Sequence, residues 1–142
     1  MKALFYTIVI IFCSAAHAQN PKIGSRIAIS SDDIFTEADI KSMRESISNY
    51  TRGIKDSQNL EFYYANRGLL YYRLKEYTAA IADLSVAMEM SPDKSEYYIL
   101  RGHCKKGSNK TFKISYCEDY QKAKKLNPEK IVLGNFAKEC EL

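Results

Sequence analysis

Four cysteines and two histidines are the side chains of this 142-residue chain best suited to nucleophilic, redox or metal chemistry. His103 and Cys104 are adjacent and Cys117 follows in the same third of the chain. They offer three ligand atoms but no Cys-x-x-Cys pair and no fourth donor at a spacing that closes a tetrahedral site, so no metal is expected. A Ser-His or Cys-His dyad would have to use His103, because His17 lies in an apolar leader. No nucleophile elbow, oxyanion motif or orienting acid accompanies it. Phosphate-cradling loops of the form GxxxxGKS/T or GxGxxG are absent from the sequence. These residues point away from an enzyme, a cofactor and a small-molecule substrate, and leave cross-linking as the main use of cysteine.

The leader spans residues 1–18. It opens with Lys2, runs through an apolar stretch from Ala3 to Phe12 and ends in Ala16-His17-Ala18, the form of an export signal with a small-residue cleavage site. The stretch is shorter than the roughly 20 residues that span a bilayer, so the mature form is not expected to cross a membrane; an uncleaved anchor is the alternative. Cys13 follows the bulky Phe12, where a lipoprotein signal carries a small residue. Cleavage after Ala18 leaves Gln19 first, the length of one modest domain, and an odd set of cysteines: Cys104, Cys117 and Cys140. Removing Lys2 lowers the formal charge from +4 to +3. The charge is uneven, with ten basic and five acidic residues from 101 to 142 against four and six from 61 to 100. Lys122, Lys124 and Lys125 fall near a helix C-terminus, where cations suit the dipole, and no nucleic acid is expected.

The elements that would position these groups are helices. Residues 19–35 show no sustained period and read as a flexible lead-in. Thr36-Glu37-Ala38-Asp39 has the form of a helix start with Thr36 as N-cap. Ile40, Met43, Ile47, Tyr50 and Ile54 then recur at three- and four-residue intervals to near Ser57. A complete helix pair follows from 61 to 94, Phe62 to Leu74 and Tyr77 to Met90. Tyr64, Gly68, Tyr71, Ala80, Leu84, Ala87 and Pro92 mark it, with small residues where the helices cross and a proline that cannot continue the second one. Gly102 stands 34 residues after Gly68, with Tyr98 in register with Tyr64. The register then slips by two residues in the turn at Gly107 to Lys110. The second helix of this unit, from about Thr111 to Leu126, carries Ala123 before Pro128, with Tyr116 where a small residue is usual. Either that pair is splayed or the ring leaves the interface. A last helix over 129–142 is expected to cap the stack.

This spacing resembles the tetratricopeptide repeat (TPR) family: residues 61–94 a good unit, 95–128 a divergent one, and 36–57 the second helix of a degenerate leading repeat. Arg67 stands where Leu is usual and Lys105 where an aromatic is usual. The resemblance implies an all-α domain over 36–142, a short TPR-like helical solenoid with a capping helix at its C-terminal end. It also implies binding of a protein or peptide partner along the face built by the first helices. By position that groove contains Phe62, Ala65, Leu69, Tyr72, Arg73, Ile99, His103 and Lys106, an aromatic and aliphatic floor with a basic end; alternatively these residues pack on one another or on the lead-in. Chaperone-adaptor TPRs clamp a C-terminal carboxylate with a Lys and, four residues later, an Asn. Ala65 and Leu69 occupy those positions.

If the helices flanking Asn127 and Pro128 turn back on each other, Cys117 falls opposite the end bearing Cys140; Cys104 with Cys117 is the other pairing. The run Cys117 to Ala123 with a last cysteine further on resembles exported bacterial TPR proteins and implies Cys117–Cys140. A link closing that separation would add about 3 kcal/mol by restricting the unfolded chain. The function implied is non-catalytic protein or peptide binding, periplasmic or secreted. Its rivals are envelope assembly or self-association, and a redox accessory using an unpaired cysteine, Cys104 foremost.

Overall fold

The computed structural model describes residues 35–108, 113–129 and 139–140. Among them are five helices and no strand: α1 (Glu37–Asp56), α2 (Leu60–Arg73), α3 (Tyr77–Met90), α4 (Ser95–Ser108) and α5 (Lys113–Leu126). The segments expected to form a leader over 1–18, a lead-in over 19–35 and a last helix over 129–142 lie wholly or mostly outside the described residues. Among the described residues no helix is long and apolar enough to cross a membrane.

Local chemistry sets the helix ends. Thr36 and Asp39 form a reciprocal capping box: the Asp39 amide donates to Thr36 Oγ1 at 3.2 Å, and the Thr36 amide to Asp39 Oδ2 at 2.9 Å. Hydrogen bonds from Thr36 hold the Asp39 carboxyl below the usual range. Asn59 Oδ1 accepts from the Phe62 amide and starts α2. After α2 the chain turns through Lys75 at φ 60, a left-handed conformation that favours glycine. The Lys75 and Glu76 amides there satisfy the carbonyls of Tyr72 and Tyr71.

Each helix packs on the next in sequence, and α2 also touches α4, so the rods layer as a short all-α solenoid. The central core joins α2, α3 and α4 through Ala65, Leu69, Ala80, Leu84, Ala87, Met88, Tyr97, Leu100 and Cys104. A leading cluster sets Met43, Ile47 and Tyr50 of α1 against Leu70. At Gly68 an added Cβ would lie 3.1 Å from Leu84 Cγ and 3.3 Å from Asp83 Cβ, so the crossing needs its missing side chain.

The second pair solves its crossing differently. An added Cβ at Gly102 would meet Tyr120 Cε1 at 2.8 Å, so the Tyr120 ring fills that notch. Tyr116 is nearly fully buried, edge-on to Tyr120 at 6.1 Å and clustered with Cys140. Of the two possibilities left open by its size, the ring leaves the Gly102 crossing while α4 and α5 stay packed. Ala123 is buried; Pro92 and Pro128 lie on the exposed connections.

The two departures from the repeat pattern are explained by buried ion pairs. Arg67 grips Asp83 through two N–H···O bonds of 2.7 Å and donates its third arm to Thr51 Oγ1 at 3.0 Å, tying α1, α2 and α3 together. Tyr64 and Tyr71 flank the guanidinium at 5.4 and 5.9 Å. One repeat later Arg101 grips Asp119 at 3.0 and 2.6 Å and reaches Ser85 Oγ at 3.0 Å, tying α3, α4 and α5. Lys105 adds a second cation, 2.9 Å from Asp119 Oδ2.

Removing one partner of a buried pair leaves an uncompensated charge and costs about 3–5 kcal/mol, whereas replacing both with apolar groups is often neutral. Arg67→Leu should therefore lose about that much in urea denaturation, and Arg67→Leu with Asp83→Leu should recover most of it. Arg101→Leu should lose less, because Lys105 remains beside Asp119.

Candidate functional site

The eight groove positions separate into four environments. Ala65 and Leu69 are 1% and 9% exposed and belong to the central core. α4 joins the same cluster through Leu100 and Cys104, so they offer no surface to a guest, and of the two arrangements expected for these positions their burial favours packing on one another. The reason is layering: the residues by which one first helix would meet a ligand are the ones by which it meets the next first helix. Phe62 is half-buried against Tyr50 and Tyr63, at 6.2 and 5.4 Å. Of the eight, Arg73 alone is exposed, its guanidinium 6.0 Å from the Phe35 ring.

Tyr72, His103 and Lys106 lie toward the ends of α2 and α4, and Ile99 lies in the first half of α4. Tyr72 lies 6.3 Å from both Tyr77 and His103, His103 lies 5.5 Å from Tyr120, and Tyr120 adjoins Tyr116. The result is a continuous row of rings crossing α3, α2, α4 and α5. Ile99 packs beside Tyr116, Tyr120 and Cys140. The Lys106 ammonium is 5.9 Å from the Tyr116 ring and pairs with Glu139. Tyr77, Tyr116, Tyr120 and Glu139 were not marked as site residues by the sequence. The matching spacing of Tyr72 and Lys106, one repeat apart, was a visible signal for this end of the helices, while Tyr116 and Tyr120 were legible as repeat positions of α5 and not as neighbours of His103.

The electrostatics of this row follow from burial. His103 Nδ1 lies 3.0 Å from the Tyr120 hydroxyl. Burial, and then the nearby Lys106 charge, lower its pKa to about 4, so the ring is neutral at physiological pH. Burial likewise pushes the Tyr120 hydroxyl well above the usual phenol range. Cys104 is 0% exposed and its thiol is pushed up to about 12, which makes it a core side chain without thiolate character. Cys117 and Cys140 form one possible cysteine pair, their sulfurs within bonding distance and their Cα atoms 5.4 Å apart across a separation of 23 residues. Among the described residues no cluster of three or more His, Cys, Asp or Glu could hold a metal ion.

No protein-family model matches the sequence, and no curated protein matches it. Among solved structures the fold is similar to the first TPR of Spaghetti (RPAP3) bound to the HSP90 peptide SRMEEVD, with a TM-score of 0.62 and 24% identity over 71% of this chain and 79% of that one. It is similar also to the Arabidopsis OM64 TPR domain, with a TM-score of 0.59 and 24% identity over 71% and 78%. At this identity the likeness is one of fold, and the five helices are those of a TPR-like solenoid.

Two outcomes follow from the placement. Leu69→Asp buries a charge in the central core and should abolish the cooperative thermal transition, so it cannot serve as a surface probe. His103 is harder to protonate in the folded chain than in the unfolded one, whose histidine pKa is near 6.5. The unfolded state therefore holds more protons between pH 6.5 and about 4, and His103's contribution to stability is lost as pH falls through that window. NMR titration should place the His103 midpoint near 4, and a midpoint above 6 would contradict the burial described.

Proposed function

We propose that this chain is a non-catalytic TPR module that binds a protein or peptide partner. The observation that carries the reading is the group of half-buried rings Tyr72, Tyr77 and His103 toward the ends of α2 and α4, with Arg73 exposed at the end of α2 and Lys106 on α4. Aromatic side chains with cations beside them supply contact area and orientation to an extended peptide. A structural neighbour of the same fold holds a peptide, which favours this use of the scaffold. The mode of binding differs from a carboxylate clamp at the positions of Ala65 and Leu69, since both are apolar and packed. A redox accessory role is weaker, because its candidate group, Cys104, is a buried thiol.

The same reading places the module outside the cytoplasm of a bacterial cell, periplasmic or secreted. The leader over 1–18 supports it, and a joined Cys117 and Cys140 suits an oxidising compartment.

Capture of a partner from an envelope extract should fall at least tenfold for Arg73→Glu and for Tyr72→Asp with the thermal midpoint of Arg73→Glu unchanged; full capture by both moves the site elsewhere. Intact-mass and non-reducing peptide mapping of protein recovered from the envelope should give Gln19 as first residue and a cross-linked peptide pair containing Cys117 and Cys140. A chain that keeps its leader and carries both thiols free contradicts the export reading.

A further inference from the structure

The α4 part of the groove face already has an occupant. The Glu139 carboxylate accepts from the Tyr116 hydroxyl at 2.9 Å and from the Lys106 ammonium. The next residue, Cys140, is buried against Tyr116 and Tyr120, with Ile99 packed alongside. Its sulfur lies within bonding distance of the Cys117 sulfur of α5. The chain thus lays one of its own carboxylates and one small apolar side chain on Ile99 and Lys106, two positions at which a guest is expected.

The noncovalent part of this contact is weak. The Lys106 and Glu139 side chains are 35% and 36% exposed, and ion pairs at such exposure hold little, since water and salt screen them. The covalent part decides the occupancy. The backbone alone presents Glu139 at an effective concentration on the order of millimolar, the disulfide one residue away raises it further by removing the freedom of the intervening chain, and a free peptide must compete with the higher value.

We propose that Lys106 and Tyr116 form a carboxylate-binding site that the chain fills with its own Glu139, and that the Cys117–Cys140 bond is the latch that keeps it filled. The inference rests on the peptide-binding reading and adds its regulation. The guest is a peptide with a side-chain carboxylate followed by a small apolar residue, the chemistry that Glu139 and Cys140 now supply. Opening requires a dithiol reductant. The S–S bond breaks, its two sulfurs gain two electrons and two protons and become thiols, and the reductant's own thiols close into a disulfide. Cys104 is sealed in the central core and does not intercept the exchange.

The probe is a fluorescein-labelled peptide, Ala-Lys-Glu-Ser-Glu-Leu, which copies residues 137–142 with serine in place of cysteine. Anisotropy titrations use the full chain. Protein reduced with dithiothreitol, and the Cys117→Ser variant, should each bind the probe at least tenfold more tightly than the oxidised chain. Lys106→Ala should remove the gain in the reduced state. Glu139→Gln is a surface change that keeps both cysteines and deletes the competing carboxylate; oxidised, it should bind the probe more tightly than oxidised wild type. Equal binding by oxidised and reduced protein, or none by either, overturns the latch. An unchanged affinity in Glu139→Gln overturns Lys106 and Tyr116 as the carboxylate donors. Partner capture by the oxidised chain, read through Arg73→Glu, is a separate measurement, so the module reading can survive either failure.

Discussion

The pairs α2–α3 and α4–α5 are each organised around one half-buried guanidinium on a buried aspartate. Arg67 and Arg101 both spend two N–H groups on an aspartate of the following helix and a third on a hydroxyl of the preceding one. A planar fork with fixed donor directions accepts little variation in the distance and rotation of its partners. Three successive helices are thereby held in one relation, and the relation recurs because the residues recur. Leucine at Arg67 would fill the same volume without specifying the angle. A charge taken out of water without its partner is costly, so the pairing penalises misregistered stacking more than it rewards the correct one.

From that frame follows the crowding of the face between the first helices. When α2 and α4 are held side by side, Ala65 and Leu69 become their common interface. The accessible chemistry is pushed to the helix ends, where Tyr72, Tyr77 and His103 meet and where Arg73 and Lys106 stand. Glu139 and Cys140 then meet α4 much as α4 meets α2, with Ile99 and Lys106 taking the contact. Stacking geometry and ligand geometry use the same side chains. A short array therefore has to leave its last face open or cover it with a piece of itself.

Much of this was legible in the sequence because it is periodic. The small residues Gly68, Ala80 and Ala87, and the capping pair Thr36 and Asp39, act within a helix or between neighbours, so spacing alone exposes them. The guanidinium frame was also written there: Arg67 and Arg101 stand one repeat apart, as do Thr51 and Ser85. The two-residue insertion before α5 displaces Asp119 from the register of Asp83 and conceals the match. Arg67 read in isolation is a departure from a pattern, and only its partners give it a role.

The sequence by itself determined an all-α chain of paired helices, their order, their crossings and the leader-like segment that precedes them, because hydrophobic period, glycine, proline and caps act over a few residues. Tertiary structure decided which groove positions are surface, since Leu69 and Arg73 sit on the same helix and differ only in what packs over them. It decided also that Tyr120 fills the Gly102 notch, that Cys104 is sealed while Cys117 meets Cys140, and that Glu139 lies on Lys106. These are contacts between residues distant in the chain, and their outcome depends on how a stack of rods divides its limited interior.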